Sequence, residues 1–318
     1  MNLDPALFRP EAIDEESKAL ILQLKAMAAE QPPMHTLSPA EVRSRRASTG
    51  RGPGGQPVFF SESAVARSIP GPGGDIELRC FIPPRVNAAY LYIHGGGWVL
   101  GTNDSNDVRL EGLSRDFGIA VFSVDYRLAP EHPYPAGPDD CEAAALWLAQ
   151  NAAREFGTDK LLIGGDSAGA HLAVVSLLRL RDRHGITPYS GALLGYGFYD
   201  PALTPSAANW GDESVILSTP GLQWFSDHFV AAELRRDPDV NPLFADLHDM
   251  PPALLTVGTM DPLLDDSLFM HARWVGAGSQ AELDVQPGGV HGLTGFPTLV
   301  GKNALAHQDA FIRSILAT

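Results

Sequence analysis

A serine hydroxyl becomes a useful nucleophile only when it is presented cleanly and a base can take its proton. Gly165-Asp166-Ser167-Ala168-Gly169 is the stretch of this sequence built to present one. It fits G-x-S-x-G, with the apolar run Leu161 to Gly165 before it and Ala170, Leu172, Ala173, Leu177 and Leu178 at helical spacing after it. A strand, a sharp turn and a helix in that order predict a nucleophile elbow. Bulk beside the serine would collide with the adjacent strand and helix, and glycine relieves the collision. The corner also sets the hydroxyl at a helix N-terminus, whose partial positive charge favours a developing anion. The same pattern describes a Ser N-cap flanked by packing glycines, and in a chain with 32 glycines the bare motif decides nothing alone.

Ten histidines compete to be the base. His171 and His271 fall within helical patterns, His184 just before a helix-ending glycine, and His132 and His248 among turn residues. His35 and His307 lie outside the strand–helix alternation, and His228 lies in a helical insertion. His291 follows the last apolar strand in "QPGGVHGLTG", a loop loosened by glycines that lets the ring reach inward over a sheet. The orienting acid should also sit just past a strand. Asp261 in "PALLTVGTMDPLLDD" does so, with Pro262 stopping the strand; Asp265 and Asp266 compete, and either could serve as a helix-start charge. The order Ser167, Asp261, His291 is that of a serine hydrolase built on an α/β sheet.

Attack on a carbonyl needs fixed donors for the oxyanion. "YIHGGGWVLG" supplies three consecutive glycines after another apolar strand, so the N–H groups of Gly96 and Gly97 are expected to join that of Ala168. His94 is expected to brace this loop rather than titrate. The aromatics Trp98, Phe198, Tyr199, Trp210, Trp224 and Phe225, with Leu293 beside the base, are expected around an apolar substrate pocket.

These residues require a frame. "AVARSIPGPGGDIELRCFIPP" alternates about a Gly/Pro turn and predicts an antiparallel hairpin. Short apolar runs follow ("AAYLYIH", "IAVFSVDY", "LLIGG", "GALLGYGF", "PALLTVG", "AELDVQP"), with helical stretches at Leu110 to Phe117, Asp139 to Phe156, Ala168 to His184 and Leu264 to Gly276 between most of them. The pattern predicts an α/β fold with a mostly parallel eight-stranded sheet covered by helices on both faces, closed by a helix from Ala304 to Leu316. One helix is expected from Ile13 to about Met27 and another from Ser38-Pro39. "STGRGPGGQP" reads as a linker, and Arg43, Arg45, Arg46 and Arg51 as its solvated charges. Between Tyr199 and Asp246 the alternation stops at a helical, aromatic-rich insertion.

Composition narrows the partners. A formal charge of -15 argues against nucleic acid, which is gripped by clustered cations. Two cysteines, Cys80 and Cys141, give neither a disulfide framework nor a metal spacing and are expected as core fillers. The acidic N-terminus lacks the form of a signal peptide, and no apolar run is long enough for a membrane span. A cytoplasmic location is the default expectation.

"HGGGW", "VDYRLAPEHPYPAGPDD", "GDSAGA", "NPLFADL" and "DPLLDD", in this order, resemble the hormone-sensitive-lipase-like carboxylesterases of the α/β-hydrolase fold. The resemblance implies a triad of Ser167, Asp261 and His291, an oxyanion hole at Gly96, Gly97 and Ala168, and no cofactor or metal. It implies a helical cap made from residues 1–55 and 199–243 over a catalytic core of residues 56–198 and 244–318. It implies a small-molecule ester substrate with a short- to medium-chain acyl group, and it allows a homodimer through the edge strand near Ala281 to Gln286. The same triad could serve a lactone, amide or thioester, and a non-catalytic receptor exists on this fold.

Overall fold

The strand–helix alternation becomes one eight-stranded sheet in the computed structural model, which describes residues 3–50, 59–213 and 215–318. The strands are β1 (Val65–Gly71), β2 (Gly74–Phe81), β3 (Ala88–Ile93), β4 (Ile119–Val124), β5 (Leu161–Asp166), β6 (Tyr189–Gly195), β7 (Ala253–Met260) and β8 (Ala281–Val290). Their spatial order is β1-β2-β4-β3-β5-β6-β7-β8. β1 pairs with β2, and β2 with β4, antiparallel; every other pairing is parallel.

The helices are α1 (Glu15–Ala29), α2 (Pro39–Thr49), α3 (Asp107–Phe117), α4 (Ala136–Phe156), α5 (Ala168–His184), α6 (Pro205–Ala208), α7 (Thr219–Phe229), α8 (Leu264–Gly276) and α9 (Leu299–Ala317). Alternate residues of each central strand serve opposite layers. Leu91, Ile93, Ile163 and Leu255 join residues of α4, α5 and α8 on one face. Tyr90, Tyr92, Leu162 and Leu254 join residues of α3 and α9 on the other. With both faces covered, no strand position needs to be polar, which is why these segments read as continuous apolar runs.

The connections create the site. The chain leaves β3 through α3 to reach β4 on one flank, then returns through α4 to β5 on the other flank of β3. Loops after β3 and β5 therefore part in opposite directions and leave a crevice at the C-terminal edge of the sheet. "HGGG" and the serine corner are those two loops.

The structure differs from the sequence reading at the ends. α9 starts five residues before Ala304, capped by Thr298, whose hydroxyl accepts from Gly301 N at 3.1 Å. Gly301 hides this start, yet it is needed there: a Cβ would stand 2.4 Å from the Phe296 carbonyl oxygen. Arg43, Arg45 and Arg46 are helical rather than linker residues. Ser38 and Glu41 form a capping box with Pro39 at the first helical position, and together they nucleate α2 through the arginines. Arg43 donates to the carbonyls of Val99 (2.9 Å) and Ala129 (2.6 Å) and to the Glu131 carboxylate (2.8 Å), so it fastens α2 to the core. Arg51 and most of the expected linker lie outside the described residues.

The insertion carries α6 and α7. α7 packs against the turn Met34–Thr36, and Trp224 Nε1 donates to the Leu37 carbonyl at 3.1 Å, joining the insertion to the N-terminal segment. Cys80 and Cys141 are free and buried in the core, and burial pushes the Cys80 thiol up to about 12. Among the described residues, no helix is long and apolar enough to cross a membrane.

Candidate active site

Ser167 turns the chain from β5 into α5 with φ 57° and ψ −118°, a conformation rare for a residue with a Cβ. The surroundings hold it there. Its N–H donates to Gly195 O at 2.8 Å, and its carbonyl accepts from His171 N and Phe198 N, each at 3.2 Å. The flanking glycines are steric requirements: a Cβ on Gly165 would lie 2.2 Å, and one on Gly169 2.0 Å, from the Ile93 carbonyl oxygen. Strand β3 and helix α5 could not approach so closely with any larger residue.

The loop after β8 brings His291 over this corner. Its Nε2 lies 3.0 Å from Ser167 Oγ and its Nδ1 2.8 Å from Asp261 Oδ2. Asp261, wholly buried just past β7, accepts the Leu263 N–H on its other oxygen at 2.9 Å, so both carboxylate oxygens are engaged. A carboxylate on Nδ1 makes that nitrogen the donor and leaves Nε2 free to accept the serine proton. The Tyr196 ring stands edge-on to the imidazole at 5.1 Å. The structure therefore brings Ser167, Asp261 and His291 into one chain of contacts.

The competing acids do another job. Asp266 accepts the N–H groups of Tyr199 (2.8 Å) and Asp200 (2.9 Å) and the Thr204 hydroxyl, and burial pushes its carboxyl up to about 8. Asp265 accepts Ser206 N at 2.8 Å. Both moor the start of the insertion to α8.

The glycine loop lines the same cavity as Ser167 and His291. Gly96, Gly97 and Trp98 all have positive φ (122°, 59° and 61°), which folds the loop so that Val99 N and Leu100 N both donate to Gly96 O. The N–H groups of Gly96 and Gly97 donate to no backbone carbonyl among the described residues. Ala168 opens α5, where an N–H has no partner within the helix. His94 braces the loop: its Nδ1 bonds Gly95 O at 2.8 Å and its ring stacks on Tyr126 at 4.3 Å. Burial pushes its imidazole down to about 4, so it stays neutral at ordinary pH.

A cavity of about 250 Å³ adjoins Ser167 and His291. Its apolar wall comes from Met34, Phe198, Ile216, Leu217, Leu222, Phe225 and Phe296, and Arg46 reaches it from α2. Its polar end is Tyr92, Asn106 and Asp166, where the Asp166 carboxylate accepts from the Tyr92 hydroxyl (2.9 Å) and the Asn106 amide (3.0 Å). Burial raises the Asp166 carboxyl above its usual range.

Of the expected pocket residues, Phe198 and Phe225 line this cavity, and Trp98, Tyr199, Trp210, Leu293 and Trp224 do not. The Trp98 indole lies flat against Phe229 at 4.2 Å, buried beneath the insertion. Tyr199 is wholly buried with its ring against Gly197. Leu293 faces the core with Val257, Val285 and Val300. Trp210 is half-buried away from the cavity, and Trp224 turns to Leu37. The aliphatic wall was missed; its one sequence signal is Val215-Ile216-Leu217, an apolar triplet fitting neither helix nor strand. Among the described residues, no cluster of His, Cys, Asp and Glu is arranged to hold a metal ion.

The sheet order, the two loops at its switch point and the connecting helices define an α/β hydrolase. The chain belongs to this family: the profile of the α/β hydrolase fold matches residues 90–295. It is 36% identical over 253 residues to the carboxylic ester hydrolase LipN of Mycobacterium tuberculosis, covering 76% of this chain and 67% of that protein. It is 38% identical over 242 residues to the carboxylesterase NlhH of the same organism, covering 71% and 73%. Among solved structures, a hyperthermophilic esterase from the archaeon Pyrobaculum calidifontis superposes with a TM-score of 0.82 at 29% identity, covering all of both chains. The thermostable carboxylesterase EstE1, cloned from a metagenomic library, superposes at 0.80 with 33% identity, covering 88% of this chain and 98% of that one. These relatives and structural neighbours are esterases, in keeping with the resemblance carried by "HGGGW" and "GDSAGA".

Proposed function

We propose that the protein is a serine carboxylesterase that hydrolyses short- to medium-chain acyl esters through an acyl-enzyme. The observation that carries this reading is the contact chain Ser167–His291–Asp261, at 3.0 and 2.8 Å, on one cavity with Gly96 and Gly97, whose amides donate to no backbone carbonyl among the described residues.

In this mechanism, Ser167 Oγ attacks the ester carbonyl carbon as its proton passes to His291 Nε2. Asp261 keeps Nδ1 protonated and stabilises the imidazolium without taking a proton itself. The carbonyl oxygen becomes an oxyanion held by the N–H groups of Gly96, Gly97 and Ala168, at the positive end of α5. The tetrahedral adduct collapses, and the alcohol leaves with the proton from Nε2. Water, deprotonated by the same nitrogen, then attacks the acyl-enzyme and releases the acid and free serine.

Residues 1–55 and 199–243 act as a cap over the catalytic core formed by residues 56–198 and 244–318. The contact of Trp224 with Leu37 and the cavity wall drawn from both segments support this division. The cavity's small volume and its apolar wall favour acyl groups of up to about eight carbons. The two buried free cysteines suit a reducing compartment, and the cytoplasm is the proposed location.

The test is a series of p-nitrophenyl esters of increasing acyl length. We expect kcat/KM to peak in the butyryl to octanoyl range and to fall for the palmitoyl ester. A preference for palmitoyl would overturn the size argument, and no turnover of any ester would overturn the function.

A further inference from the structure

His171 lies one helical turn beyond Ser167 on α5, is wholly buried, and takes no part in the proton transfers described above. Both of its ring nitrogens are nevertheless occupied. Nε2 is 2.7 Å from the carbonyl oxygen of Val240, in the segment that follows α7. A carbonyl can only accept, so Nε2 carries the hydrogen. Nδ1 is then a bare acceptor, and Trp98 Nε1 donates to it at 3.1 Å. The partners thus fix one neutral tautomer, and burial, which pushes this imidazole down to about 4, preserves it.

The identity of the donor is what matters. Trp98 directly follows Gly97, and its φ of 61° places a bulky residue in the left-handed region. Such a conformation persists only where the surroundings over-determine it. Here the indole is stacked on Phe229 at 4.2 Å, and its one polar atom is tied to His171. The Trp98 carbonyl also accepts from Ala129 N at 2.9 Å, but it is the His171 imidazole that links the backbone orienting the Gly96 and Gly97 amides to the helix that begins just after Ser167.

We infer that His171 is a positioning residue for the oxyanion hole: its Nδ1 holds Trp98, and through Trp98 the glycine loop, in register with the Ser167 hydroxyl. This rests on the esterase reading above. The link to Val240 adds a second consequence, because the insertion and the glycine loop are held by opposite sides of the same ring.

Three variants separate positioning from mere packing. His171→Leu keeps most of the volume but leaves Trp98 Nε1 without an acceptor. His171→Asn restores an acceptor, since its amide oxygen takes nearly the place of Nδ1. Trp98→Phe removes the donor and leaves the imidazole. Each is assayed for kcat and KM on p-nitrophenyl butyrate and for the Ki of a trifluoromethyl ketone of matching chain length. Addition of Ser167 to that ketone puts a negatively charged oxygen in the hole.

We expect His171→Leu to lower kcat by about tenfold or more, and to raise the ketone Ki by a similar factor, with KM nearly unchanged, because hole donors act on the transition state. His171→Asn should recover most of both losses. Trp98→Phe should reproduce the loss and add little to it in the double variant. A folded His171→Leu enzyme with unchanged kcat and ketone Ki would overturn the inference, as would a loss confined to the active fraction. Should His171→Leu fail to fold, Trp98→Phe decides by the same ratio. Failure of the unsubstituted enzyme to hydrolyse the ester or to bind the ketone would defeat the esterase reading instead.

Discussion

Ser167→Ala is expected to reduce kcat by about 10⁴-fold or more while leaving the fold and Tm close to those of the parent. The activity loss follows from removing the nucleophilic oxygen, which lies 3.0 Å from His291 Nε2. Stability should hold because alanine keeps the Cβ, so the strained φ of 57° is neither relieved nor worsened, and the N–H bond to Gly195 is a backbone bond. Steady-state kinetics on p-nitrophenyl butyrate beside a thermal melt measure both halves. Retention of more than a few per cent of kcat would show that another group performs the attack.

Gly96→Ala is expected to lower kcat by roughly 10²-fold with a much smaller change in KM, as befits displaced oxyanion donors. Two independent facts force it. At φ 122° the backbone is almost exclusive to glycine, and an added Cβ would stand 2.0 Å from the Leu100 carbonyl oxygen. That neighbour is backbone in a turn already fixed by the bonds of Val99 N and Leu100 N to Gly96 O, so no side-chain rotation can make room. The loop must move, and the Gly96 and Gly97 amides move with it. Kinetics with the same ester, set against circular dichroism, test it; parent-like kcat would mean that these amides do not face the reacting oxygen.

Much of this architecture is legible in the sequence because it is dictated locally. A strand buried on both faces must be a continuous apolar run, so β3 and β4, buried at every position, can be found by composition alone. Close backbone approach demands glycine, so Gly165 and Gly169 mark the corner in the sequence itself. Asp261 and His291 could be chosen from their competitors because each follows directly on a strand, where the loops of an open sheet converge.

The cavity wall was not legible, for a physical reason. Trp224 and Phe225 are adjacent aromatics on one helix, yet Phe225 lies over Gly97 in the cavity while Trp224 turns to Leu37. Adjacent positions on a helix point about 100° apart, so which of the two faces the cavity depends on how α7 is turned against its neighbours, the Met34–Thr36 turn among them. Trp98 was misread similarly: its neighbours in sequence belong to the site, but its ring points beneath the insertion toward Phe229 and His171. Arg43 misled through composition, since a charged helix that fastens itself by guanidinium bonds to backbone carbonyls looks like a solvated segment.

The most direct measurement is reaction of the whole protein with a fluorophosphonate, followed by peptide mapping of the modified residue. The contact chain from Asp261 through His291 predicts one adduct per chain, on Ser167, formed faster than in His291→Ala. An unmodified protein, or an adduct on any other serine, would contradict the account.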